Sequence, residues 1–318
     1  MNIPRVAWFG LVILGWSLPL VASGETGAHD HHDHHHHDDP HGSYKHDSDV
    51  FGCSLREQWF EPWVHHHFAP GGSPYIHKFG FEPAFLGRDV LATYGWSDLA
   101  EGHEQELELE LEWAFTRRIG MVIEQAYVWE DPDGEPSVSG FGDLAIVPRI
   151  VLCEHDRFLL SANLEIELPT GSDDLGAGQE WHLAPFITTW ADLGHWWTLT
   201  SAIGLEFALD SDETEFFFAA GLAKSFRVTG DDHGKRATET VAHSHELPSG
   251  ILSLIAELYG ETVLKGEPEE EDNWIFEALV GASYSLLPGC DIRAGYAFPI
   301  SNDSELDGGV RFGAIWHF

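Results

Sequence analysis

Residues 106–113 read Glu-Leu-Glu-Leu-Glu-Leu-Glu-Trp, and the reading of this stretch decides the fold. Carboxylates alternate with large apolar side chains, a period of two, which is the repeat of a β-strand whose successive side chains point to opposite faces. On a helix the same glutamates would be scattered around the cylinder. The strand therefore has an apolar face, Leu107, Leu109, Leu111, Trp113 and Phe115, and an acidic face, Glu106, Glu108, Glu110 and Glu112.

The pattern recurs along the chain. Phe158, Leu160, Ala162, Leu164, Ile166 and Leu168 alternate with Ser161, Asn163, Glu165 and Glu167. Trp197, Leu199, Ile203, Leu205 and Phe207 alternate with Thr198, Thr200 and Glu206. Read this way, the sequence predicts about twelve strands, near residues 75–86, 106–116, 119–130, 141–152, 158–168, 181–191, 195–209, 215–228, 250–262, 274–286, 290–299 and 308–318. Most are longer than the five or so residues usual in soluble sheets. They match the roughly 9–11 residues that a tilted strand needs to cross a bilayer. The expected fold is all-β, an antiparallel transmembrane β-barrel spanning residues 75–318.

Two further patterns agree with a barrel. Connections at one end are tight, at residues 116–118, 153–157, 191–195 and 287–290, whereas those at 131–140, 169–180 and 262–273 are longer and rich in Gly, Pro and acid. Bacterial barrels have this asymmetry, with short periplasmic turns and longer external loops. An insert at 229–249 on the tight side is the exception. Aromatics also band at the two strand ends, with Tyr127, Trp129, Trp181, Phe216, Trp274 and Phe276 at one and Trp113, Phe115, Trp190, Trp196, Trp197, Phe226 and Trp316 at the other. Amphipathic rings prefer the two membrane interfaces.

The chain begins with an export signal over residues 1–23, where Arg5 precedes an apolar run and Val21 and Ser23 provide small residues for cleavage. A His/Asp-rich tail and linker, expected to be disordered, follows over 24–74. It carries His29, His31, His32, His34, His35, His36 and His37, and then His65, His66 and His67; the insert adds His233, His243 and His245. Imidazoles beside carboxylates are ligands for zinc, nickel or copper. A floppy tract offers them only weakly, because strong sites need ligands held at fixed geometry. No cofactor is required, and the alternative for the tail is a solvated spacer. Cys53, Cys153 and Cys290 allow one disulfide in an oxidising compartment, without indicating which pair forms it.

With 53 Asp plus Glu against 16 Lys plus Arg, the chain has a formal charge of −37. That excludes nucleic acid as a partner, since phosphates would be repelled. With apolar faces toward lipid, the barrel interior would be lined by Glu106, Glu108, Glu110, Glu112, Glu165, Glu167, Glu206, Glu257 and Glu277, answered chiefly by Arg149, Arg293 and Arg311. Such a lining favours cations over anions. No GxSxG, HExxH, phosphate-loop or dinucleotide fingerprint is present, so no catalytic residue is assigned.

The terminal strand ends at Phe318 with Val310, Phe312, Ala314 and Trp316 on the same face, and it resembles the C-terminal signal read by the insertion machinery of outer-membrane barrels. Phe141-Gly142-Asp143-Leu144 opens a strand. The run Leu164-Glu165-Ile166-Glu167-Leu168 then leads into Pro169-Thr170-Gly171 and Gly176-Ala177-Gly178. This succession resembles the outer-membrane transporter family named after the meta-pathway of phenol degradation. The resemblance implies a channel for small organic compounds in the outer membrane of a Gram-negative-type bacterium. The expected function is thus an outer-membrane channel or transporter for a small solute or cation, in contact with outer-membrane lipid. The alternative is a non-transporting envelope barrel, or a secreted β protein, that binds metal or a partner through its tail.

Overall fold

The computed structural model describes residues 50–318 apart from 65, 176, 179, 212, 229–248 and 267–272. Twelve antiparallel strands close into one barrel: β1 (Arg88–Leu99), β2 (Gly102–Ala114), β3 (Ile119–Pro132), β4 (Val138–His155), β5 (Phe158–Leu168), β6 (His182–Gly194), β7 (Trp197–Ala208), β8 (Thr214–Arg227), β9 (Ile251–Lys265), β10 (Trp274–Leu287), β11 (Cys290–Pro299) and β12 (Leu306–His317). Each strand pairs with its sequence neighbours, and β1 closes on β12 from Asp89↔His317 to Leu99↔Leu306. Closure removes the unpaired edges that an open sheet would expose.

The alternation sorts the side chains as expected. On β2, Leu109 is 53% exposed on the outer surface, whereas Glu112, on the opposite face, is 1% exposed. Trp113, Trp197, Phe226 and Trp316 lie exposed near one end, and Trp129, Phe141, Trp181 and Trp274 near the other. The connections 115–118, 156–157, 195–196 and 288–289 are tight and share one end, here the turn end, with the long connection 228–250 as its exception; the two-residue turn 100–101 lies at the other end. The longer ones, including 169–181 and 300–305, lie at the opposite loop end.

Three expectations need correction. Residues 75–86, read as the first strand, run inside the barrel instead, and β1 begins at Arg88. Tyr75, Phe79, Phe81 and Phe85 mimic a strand period, but Pro83 has no N–H to give a ladder. Trp190 is no girdle residue: it is 0% exposed and packs edge-on against Tyr75 at 4.9 Å. Finally, residues 50–74, assigned to the disordered linker, have a defined course across the turn end. Gly52 bridges to Glu154 and Pro62 to Thr116, Cys53 is disulfide-bonded to Cys153, and Arg118 lies 3.5 Å over the Phe51 ring. The remaining cysteine, Cys290, is free and buried. Residues 1–49 and most of the 229–249 insert lie outside the described residues.

Candidate functional site: the barrel interior

The interior is built in two levels. At the turn end the segment 75–87 enters the barrel and turns back to join β1. Its backbone is held by side chains from strands far apart in sequence. Arg293 on β11 donates to the Lys78 carbonyl at 2.6 Å and lies over the Phe79 ring at 5.0 Å. The Phe79 N–H donates to the Glu257 carboxylate on β9 at 2.9 Å, and Tyr259 donates its hydroxyl to the same group. Ser161 donates to the Ala84 carbonyl at 2.5 Å, and Gly87 N–H to Glu112 at 3.0 Å. Two close approaches depend on glycine, at Gly80 and Gly221. A Cβ at Gly80 would lie 2.6 Å from the Tyr259 hydroxyl, and one at Gly221 would lie 2.6 Å from Lys78 Cε. Lys78 itself is buried.

Arg149 on β4 is the centre of this lower level. Its guanidinium is fully buried and lies 2.6 Å from Glu82 and 2.6 Å from Glu112. It also donates to Asn163 at 3.2 Å, to the Phe85 carbonyl at 3.0 Å and to the Pro83 carbonyl. Above it, Phe81 joins Val122, Val147, Phe186, Phe217, Tyr259 and Leu279 in an apolar cluster contributed by the wall. Leu279 of β10 is buried in this cluster, and the segment's Phe79 packs against it. The inward bases Arg149 and Arg293 thus hold the segment.

The nine glutamates named from the sequence differ in burial. Glu112, Glu257 and Glu277 are buried, the last accepting from Ser304 at 2.5 Å. Glu106, Glu108, Glu110, Glu165, Glu167 and Glu206 are partly buried. Glu110 is directly opposite Glu124 in the β2–β3 register, and Glu206 is opposite Glu215 in β7–β8. Like charges directly opposite repel. His182 on β6, which sequence reasoning passed over, meets Glu206 at 2.8 Å and gathers with Glu167 and Glu206 in one cluster. Of the histidines named from the sequence, only His66 and His67 fall within the described residues; His29, His31, His32, His34, His35, His36, His37, His65, His233, His243 and His245 lie outside them.

The motif at the loop end has a physical explanation. Asp143 on β4 accepts backbone N–H groups from Thr170 at 2.9 Å, Gly171 at 2.7 Å and Gly178 at 2.9 Å. Gly178 sits at φ +75°, with its Cβ position 2.6 Å from the Gly171 carbonyl, where any side chain would be strained. One carboxylate therefore shapes the 169–181 connection. Asp143→Ala should cost about 2–3 kcal/mol, as expected for hydrogen bonds to a charged group, and should make that connection the first site of proteolytic cleavage. An unchanged digestion pattern and unchanged urea midpoint in lipid vesicles would rule this role out.

The family model described as "Putative MetA-pathway of phenol degradation" matches residues 74–313. The chain belongs to this family. Among solved structures, an outer membrane channel from Pseudomonas putida F1 is similar with a TM-score of 0.52 at 11% identity, covering 77% of this chain and 100% of that one. The NanC porin aligns at a TM-score of 0.47 and 8% identity over 72% of this chain and 99% of its own. The KdgM porin aligns at 0.45 and 12% over 72% and 99%. No curated protein matches the sequence. Family membership and the P. putida channel's shared fold agree with the barrel built above from its residues.

Proposed function

We propose that the family member described here is an outer-membrane channel or transporter for small solutes, with an interior that favours cations. The observation that carries this reading is the inside-out polarity of a closed wall. Leucine and tryptophan face outward, while glutamates from at least six strands face inward, some directly opposite one another. A wall with an apolar exterior is suited to lipid, and a carboxylate-lined interior attracts cations and repels anions. The apolar exterior of the closed wall supports placement in outer-membrane lipid. The segment 75–87 occupies the turn end of the interior, which favours a narrow or closed pathway over a general porin.

Single-channel recording of the refolded chain in a planar bilayer tests this. The expected result is small discrete steps with cation selectivity, and a severalfold lower cation-to-anion permeability ratio in Glu110→Gln/Glu124→Gln. Anion-selective steps would overturn the acidic-interior reading. A folded but silent barrel would favour the second reading, a non-transporting envelope barrel, which the filled turn end supports.

A further inference from the structure

We propose that His77, Asp89 and His317 form a binding site for a divalent transition metal of the zinc class, which fastens the lumenal segment to the seam where β1 closes on β12. The three residues come from three elements: His77 from the lumenal segment, Asp89 from the start of β1 and His317 from the end of β12. His77 Nε2 lies 3.3 Å from one Asp89 oxygen and His317 Nδ1 lies 2.7 Å from the other. One ligand atom from each residue can be chosen so that all lie within 4.8 Å of one another. Zinc binds imidazole nitrogen and carboxylate oxygen at about 2.0–2.2 Å, so small side-chain rotations bring the set onto one ion. His77 and Asp89 are buried, which holds them at fixed geometry and separates this cluster from any floppy tract.

The surroundings support the same reading. His317 Nε2 lies 3.6 Å from an Asp291 oxygen. A carboxylate behind the second nitrogen of a ligating imidazole orients the ring and raises its basicity. The His67 ring stands edge-on to His317, with centroids 5.0 Å apart. Two imidazoles and one carboxylate leave a coordination position open, as borderline ions such as zinc accept. Without metal, the same groups would form a His–Asp–His hydrogen-bonded pin, and the experiment must separate the two.

The full chain is refolded in detergent and titrated with cobalt(II) as a spectroscopic probe, then with zinc as competitor. Folding of every variant is checked by heat-modifiable gel mobility. The expected result is one tight equivalent per chain with a visible d–d spectrum, displaced by zinc. It should disappear in His77→Gln, which leaves every strand intact, and in Asp89→Asn, and persist in His35→Gln/His36→Gln. Asp291→Asn should weaken it about tenfold, the usual cost of losing a carboxylate partner of a ligating histidine. Identical stoichiometry and affinity in the wild-type chain, His77→Gln and Asp89→Asn would overturn the site and leave the hydrogen-bonded pin. The readout is independent of conductance, so a silent barrel would not affect it.

Discussion

Arg149→Met is expected to destabilise the folded barrel by about 3–5 kcal/mol, the usual cost of removing one partner from a buried ion pair. The guanidinium is fully buried between Glu82 of the lumenal segment and Glu112 of β2, and it also satisfies the Phe85 and Pro83 carbonyls. Methionine fills much of the volume but leaves two carboxylates close together without a counter-charge. The loss is in the penalty for those carboxylates, not in the value of the intact pair. Adding Glu82→Gln and Glu112→Gln to Arg149→Met should therefore recover much of the stability. Urea unfolding of the refolded chain in lipid vesicles reads both effects. Equal midpoints for wild type and Arg149→Met would contradict the buried-cluster account. Because Glu82, Pro83 and Phe85 all belong to the segment, the single variant should also loosen it, seen as larger conductance steps than in the wild-type chain.

The second large effect is expected at the disulfide. Cys53 and Cys153 are 100 residues apart in sequence, and their bond ties the strand-crossing stretch 50–74 to the end of β4. Cross-links that close long loops typically contribute about 2–4 kcal/mol, largely by restricting the unfolded chain. Cys53→Ser/Cys153→Ser should lower stability by that amount, and a reductant should do the same to wild type but leave the variant unchanged. Phe51 and Arg118 would still contact each other in the variant, so the stretch should become more protease-sensitive without the barrel failing to form. A reductant that shifts both proteins equally would rule out the Cys53–Cys153 bond as the source of the effect.

Most of the wall was legible because its code is local. Period-two alternation needs no knowledge of distant residues, and β2, β5 and β7 keep it almost without interruption. β1 escaped because its outward set, Val90, Ala92, Tyr94 and Trp96, follows Arg88, and its inward set mixes Asp89, Leu91, Thr93 and Gly95. The inward face, with Leu91 and Gly95 among its members, does not read as cleanly polar. The lumenal segment was misread for the opposite reason. Its alternate aromatics are a strand-like pattern produced by packing against both sides of an enclosed space, and only Gly80 and Pro83 hinted otherwise. On β2 the glutamates simply hold the opposite parity to the leucines. The cluster of His77, Asp89 and His317 had no such signal: its members are dispersed along the chain and meet only through barrel closure. The histidine-rich tract drew attention by density, whereas geometry assembles isolated histidines.

The contacts of residues 75–87 have one more consequence. Their anchors lie on β2, β4, β9 and β11, strands on both sides of the seam that come together when β1 reaches β12. A short stretch containing Gly80 and Pro83 has no ladder of its own to form beforehand. The wall is therefore the mould and the segment the casting: during assembly the cylinder must close before its filling can set. Both legs of the filling leave through the same mouth, one toward residue 74 and the other into β1, so it can set after closure without any part of the chain being threaded through.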